Sequence, residues 1–189
     1  MEEVLQLLHT VQPLSAELRD HISSILQQKT LPKKSYLLKA GHVCRNIYFI
    51  RKGILRCYYM KGDIEVCSWF MKERDLVISI ESFYTQSPSY EYLQALEETE
   101  VWYISYNELQ RIYRDFPEFN GTGRILTQQY HQHWAWQLFA IRMQSAEERY
   151  KWLMEHHPEL LLRVAAKYIA TYLDIAEVTL SKLKGNINH

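Results

Sequence analysis

Between Thr30 and Ser105 the apolar residues of this chain recur at every second position, whereas on either side of that stretch they recur every three to four. Period two belongs to a strand with one buried face, and period 3.6 to a helix. The runs Ser35–Lys39, Asn46–Arg51, Ile54–Lys61, Ile64–Phe70, Tyr90–Ala95 and Glu100–Ser105 are short and β-rich. Ala40-Gly41, Lys52-Gly53 and Lys61-Gly62-Asp63 punctuate them. Many short strands between glycine turns predict a closed or double-sheet all-β unit. Gly62-Asp63 predicts a hairpin loop a little longer than the tightest two-residue type. Asp75–Thr85 breaks the alternation, and DLVISIESFY there predicts a short helical segment ahead of the loop TQSPS.

The flanks are helical. Residues 1–28 carry one stripe of Val4, Leu7, Leu8 and Val11, then a second of Leu18, Ile22, Ile25 and Leu26 after Pro13, with Ser15 as a cap. Tyr106–Phe116 fits a helix with Leu109, Ile112 and Tyr113 inward, stopped before Pro117. A long helix is predicted from about residue 118 or 120 to 144. On it Leu126, Tyr130, Trp134, Leu138 and Ile141 form one stripe, and Trp136, Phe139 and Met143 lie on another side. A helix with two apolar faces must bury one on its own domain and one elsewhere, and a second subunit is the natural candidate. Ser145 with Glu148 makes a capping box that opens AEERYKWLMEHH, which Pro158 ends.

In Val164–Lys184, the apolar residues Ile169, Leu173, Ile175, Leu180 and Leu183 fit two short helices around a tight turn, and Ala170 allows a close crossing. The second helix, about Glu177 to Lys184, then turns Glu177, Val178, Ser181 and Lys182 away from the shared core. This is the form of a helix-turn-helix, whose second helix enters the major groove of DNA. An ordinary pair of packed helices reads the same way over so short a stretch.

Bulk properties narrow the choices. A chain of 189 residues can bury a sizeable core, and its net charge is zero, so any nucleic-acid binding must use a local basic patch. No apolar run approaches the ~18 residues of a membrane span, and the N-terminus lacks the basic region and cleavage site of a signal peptide. Three cysteines without close spacing read as reduced, buried thiols in a cytoplasmic protein, one too few for a four-cysteine iron–sulfur site. His131 and His133 lie two apart on a predicted helix, about 200° around its axis, and cannot share a metal. His156-His157 suits a helix C-terminus. No nucleophile–base grouping and no phosphate-cradling glycine loop is visible, so neither an enzyme, a metal site nor a cofactor is expected.

An N-terminal helical piece, a β-roll, a long helix and a C-terminal helix pair in this order resemble the Crp/Fnr family of transcription regulators. Local matches are Lys39-Ala40-Gly41, the run Ile47–Gly53, the Gly62-Asp63 turn, Leu96–Ser105, and Ser145–Tyr150 followed by Pro158–Val164. The resemblance implies an α+β fold with N-terminal helices and a cyclic-nucleotide-binding-like β-roll (a double-stranded β-helix) over 1–117. A dimerisation helix over 118–144 and a helix-turn-helix domain over 145–189 follow. It further implies a cytoplasmic homodimer on a palindromic DNA operator, under an effector that the sequence does not name.

Cyclic-nucleotide sites in this family use a Gly-Glu pair and an arginine, usually after proline. Here the corresponding loop, Ile78 to Tyr90, has no glycine, and Ser89 follows Pro88; the nearest arginines in sequence, Arg74 and Arg111, lie outside it. Burying a phosphate without a cation is costly, so cAMP and cGMP are not expected. Another small molecule would meet Glu81, Ser89, Tyr90 and Tyr92; equally, the roll's own aromatic side chains would fill the space.

Alignment on the family's T-L-S-R-I core places Glu177, Val178 and Lys182 at base- and phosphate-contacting positions. Thr179, Ser181, Lys184 and Lys167 complete the expected DNA-binding set. Ala176 stands at the N-cap, where Ser or Thr is preferred, and Asp174 stands in the turn where glycine is usual. Only Gly185–His189 follow Lys184, so a β-hairpin wing is not expected. A member without operator binding, serving as a small-molecule or protein-interaction module, is the rival reading.

Overall fold

The structure, a computed structural model, describes residues 1–187, with side chains through Gly185; the final two residues of the expected 145–189 segment lie outside the described residues. Two helices, α1 (Glu2–Val11) and α2 (Ala16–Ile25), open the chain. The Ser15 hydroxyl accepts from the Leu18 N–H at 3.2 Å and so caps α2.

Eight described strands form two four-stranded sheets. They are β1 (Gln27–Leu31), β2 (Tyr36–Leu38), β3 (Asn46–Lys52), β4 (Leu55–Lys61), β5 (Ile64–Met71), β6 (Leu76–Val77), β7 (Tyr92–Ala95) and β8 (Thr99–Ser105). One sheet runs β1-β8-β3-β6 and the other β2-β7-β4-β5. The chain is an α+β protein with an antiparallel β-roll, the fold that the resemblance implies.

Four local expectations need correction. Gln27 and Gln28, read as the end of a helical stretch, instead open the edge strand β1, which pairs Lys29 with Val101; four of its five residues are exposed, so it carries no alternating signal. Leu76–Val77, read as helix, is strand β6 paired with Tyr48 and Phe49, and the helix that follows, α3, spans only Ile80–Thr85. The β4–β5 loop is the two-residue Gly62-Asp63, with Gly62 at φ +61. A positive φ at the first central position is what the tightest hairpins demand of glycine. Pro158 ends one helix and also starts the next, α7 (Pro158–Arg163), because its fixed φ suits a first helical position.

Gly53, between β3 and β4, has φ +104, and a Cβ there would lie 2.8 Å from the Glu98 carbonyl oxygen. Only glycine lets β4 start this close to the β7–β8 turn. Beyond the roll come α4 (Tyr106–Asp115), the long α5 (Phe119–Met143), α6 (Ala146–His156), α8 (Ala166–Tyr172) and α9 (Glu177–Ile187). Both halves of the Ser145–Glu148 capping box are present.

By contacts the chain divides into two units that do not follow chain order. The first holds Met1–Cys57 and Met71–Tyr130; the second holds Tyr58–Phe70 and the residues from His131 onward. In the first, Ile50, Leu55, Leu93, Ala95, Val101 and Ile112 form a core with almost no exposed surface. In the second, the β4–β5 hairpin packs on α5 and α8. Trp69 stacks on His133 with centroids 3.9 Å apart, and Phe70 lies 5.1 Å from Tyr172. The Cys67 N–H donates to the Thr171 hydroxyl at 3.2 Å. Cys44, Cys57 and Cys67 are buried thiols outside any disulfide among the described residues, and burial pushes the Cys44 thiol up.

Candidate effector site and nucleic-acid interface

In the roll, the loop from Ile78 to Tyr90 is closed by its own hydroxyls. Ser79 and Ser89 are buried with their oxygens 3.0 Å apart, and Ser89 Oγ also accepts from the Glu91 N–H at 2.9 Å. The backbone of Ser89 accepts from the Gly41 N–H at 2.7 Å and donates to the His42 carbonyl at 2.9 Å. Ser82 takes the Cys44 N–H at 2.9 Å and donates to the Ser87 carbonyl at 2.6 Å.

Of the four residues expected to line a pocket, only Ser89 is buried. Glu81 and Tyr90 are exposed and hydrogen-bond each other, which holds the Tyr90 phenol up to about 12. Tyr92 lies edge-on to Tyr36 at 6.2 Å. The structure thus pairs Glu81 with Tyr90 at the surface, holds Ser89 inside against Ser79, and sets Tyr92 against Tyr36.

Two residues outside that set matter more. Tyr130, from the first half of α5, sinks its phenol into the roll, with the hydroxyl 3.4 Å from the Ile78 carbonyl. Its titratable neighbours are Cys57, Glu91, Asp75 and Cys44, and burial pushes it well above its ordinary value. The Tyr130 hydroxyl thus bonds the backbone of the loop that leads into α3. Arg56 is 1% exposed, and its Nε and Nη2 donate to Gln94 Oε1 at 2.9 and 2.6 Å. Strand alternation puts Arg56 and Cys57 on opposite faces of β4, so this guanidinium does not share the face of Tyr130's neighbour Cys57. A lone cation inside the apolar run Ile54–Tyr59 was the signal for it. Tyr130 gave none, because a tyrosine on an apolar helix stripe fits an interface or a core equally well.

At the other end, α8 and α9 are joined by the turn that the spacing predicts. Asp174 adopts φ +53. The Ile175 N–H reaches the Ala170 carbonyl at 3.0 Å and the Asp174 N–H the Thr171 carbonyl at 3.2 Å, a Schellman arrangement. Ile169, Ala170, Leu173 and Leu180 are buried between the helices. Glu177, Val178, Ser181 and Lys182 are exposed on α9, Thr179 and Lys184 are half-buried, and Lys167 is exposed on α8.

On α5 the expected stripe splits. Tyr130 is occupied within the roll, and Trp134 is half-buried, edge-on to Trp69 at 5.8 Å. Leu126 is half-buried, whereas Leu138 and Ile141 are exposed at 57% and 45%. Phe139 and Met143 join them at 54% and 71%, so the last two turns of α5 bare four large apolar side chains. No described helix is long and apolar enough to cross a membrane.

Residues 28–116 match the family model of the cyclic nucleotide-binding domain. No curated protein matches the chain. Among solved structures, FixK2 from Bradyrhizobium japonicum is similar with a TM-score of 0.74 at 14% identity, over 87% of this chain and 85% of that one. A CooA variant from Carboxydothermus hydrogenoformans gives 0.72 at 17% identity, over 96% and 84%. CLP, the c-di-GMP-responsive global regulator of Xanthomonas campestris, gives 0.72 at 12%, over 92% of each chain. At these identities the likeness is one of fold.

Proposed function

We propose that this protein is a homodimeric, DNA-binding transcription regulator of the Crp/Fnr type, acting in the cytoplasm on a palindromic operator. One observation carries the reading. Helix α9 keeps Leu180 in the core and leaves Glu177, Val178, Ser181 and Lys182 free to face a duplex. The fold shared with CLP, a regulator tied to gene expression, supports it.

Lys182 offers a charge to a phosphate or to guanine O6/N7, Glu177 an acceptor to a cytosine amine, and Val178 a methyl contact to thymine. Thr179, Ser181, Lys184 and Lys167 supply polar and phosphate contacts. Two such helices about 34 Å apart read two half-sites with doubled contact. Exposed Leu138, Phe139, Ile141 and Met143 are the apolar surface with which α5 meets its second copy. The segments 1–117, 118–144 and 145–189 then serve as sensory roll, dimer helix and DNA-binding domain.

The roll does not bind cAMP. No arginine lies between Arg74 and Arg111, and the loop that would hold the phosphate is closed by its own serine hydroxyls and by the Tyr130 hydroxyl on the Ile78 carbonyl. An effector, if the protein responds to one, is a small molecule other than a cyclic mononucleotide.

The test is retention of the purified protein on duplex DNA across a salt series, for wild type and for Lys167→Ala with Lys182→Ala. The wild type should be retained at low salt. The double variant should lower the slope of log affinity against log salt by about 0.9 for each phosphate it no longer neutralises. No retention at low salt, even on a pool of random duplexes, overturns the reading and leaves a small-molecule or protein-interaction module in its place.

A further inference from the structure

The Arg149 side chain gathers three carbonyls that belong to two different helix ends. Arg149 stands in the first turn and a half of α6. Its Nη1 donates to the Gln144 carbonyl at 2.5 Å, its Nε to the Leu173 carbonyl at 2.8 Å, and its Nη2 reaches the Asp174 carbonyl at 3.5 Å. Gln144 closes α5, where its own N–H bonds to the Ala140 carbonyl, and Leu173 and Asp174 form the turn that closes α8.

Carbonyls at a helix C-terminus have no partner within the helix and carry the negative end of its dipole. A guanidinium answers both needs at once, because its donors are fixed in a planar fork and its charge is permanent. Lysine, a single ammonium on a flexible stem, cannot span the same three oxygens. Two other polar ties of α8 lie before the turn, from the Cys67 N–H to the Thr171 hydroxyl at 3.2 Å and between Tyr172 and Gln137 of α5, whereas Arg149 bonds the Leu173 and Asp174 carbonyls of the turn itself.

We infer that Arg149 is the positioning residue of the α8–α9 pair. It fixes the turn at Leu173–Asp174 against the end of α5, and thereby the angle at which α9 meets a duplex. The second half of this statement rests on the DNA-binding reading; the first does not. In a dimer, the end of α5 is the reference from which both recognition helices are set out. A loosened turn therefore blurs the distance between them rather than any one base contact.

The experiment uses the full chain as wild type, Arg149→Lys and Arg149→Gln, with thermal melting as a check of folding. One arm reads amide hydrogen exchange at residues 173–176. The other reads binding to a selected palindrome whose half-site spacing is varied one base pair at a time. Both variants should melt cooperatively and exchange the turn amides at least tenfold faster than wild type, with α5 and α6 unchanged. Affinity at the best spacing should fall at least tenfold while neighbouring spacings change less than threefold, so that the optimum flattens.

Turn exchange within twofold of wild type overturns the proposal. So does an equal loss of affinity at every spacing, the mark of a merely structural residue. Should the wild type hold no DNA at any salt, the functional reading falls by itself, and the exchange arm alone decides whether Arg149 fixes the turn.

Discussion

Asp174 carries the cost of a left-handed backbone without being glycine. Its φ of +53 is a conformation in which Asp is tolerated but Gly is free of the Cβ penalty. Asp174→Gly should raise stability by up to about 1 kcal/mol, measured by denaturant unfolding. It also removes a negative charge beside α9 and should tighten DNA binding at low salt; weaker binding would count against the placement of α9 on DNA. His133 makes the second residue-scale case. Burial first, and His157 second, hold it down to about 4 from an ordinary 6.5, and its Nε2 has no hydrogen-bond partner among the described residues. The unfolded chain therefore binds a proton between pH 6.5 and 4 that the folded chain refuses. Stability from this group is complete above 6.5 and drains away as pH falls toward 4. His133→Phe keeps an aromatic ring on Trp69 and removes the titration. Its melting temperature should fall less than that of wild type between about pH 7 and about pH 4.5, and parallel curves would contradict the assignment.

Elements show where a sequence speaks locally and where it does not. The starts of α2 and α6 were legible because a cap is a bond between residues three apart, Ser15 to Leu18 and Ser145 to Glu148. Ser145→Ala should therefore cost about 1 kcal/mol, read as a lower unfolding midpoint with unchanged slope. Strands β1 and β6 were not legible. One is an exposed edge and the other two residues long, and both exist through partners far away in sequence, β8 and β3. The α8–α9 turn lies between these cases, since its apolar spacing was readable but the Arg149 fork that holds it was not. The effector loop was half legible. Its missing arginine could be read directly, whereas the Tyr130 hydroxyl that bonds the Ile78 carbonyl comes from α5 and depends on the tertiary path of the chain.

At the scale of the whole molecule, alternation of helical and strand periods was enough to place a closed or double-sheet β unit between helices, because each period commits a long stretch to one kind of face; the order of the elements, by resemblance, made that unit a β-roll. The alternation was not enough to say which stripe of α5 is spent internally. Tyr130 and Trp134 contribute to packing within the chain, and the apolar surface left over is Leu138, Phe139, Ile141 and Met143. Four such side chains on two turns are the surface that the proposed second copy would cover, the assembly that a palindrome-reading protein needs. Selection of duplexes from random DNA, followed by the mass of the complex on the selected site, tests that assembly most directly. The account predicts an inverted repeat with half-sites about one helical turn apart, occupied by two protomers, and loss of both pairing and binding in Leu138→Asp with Ile141→Asp. Selection of no inverted repeat, or a single protomer on the duplex, would contradict it.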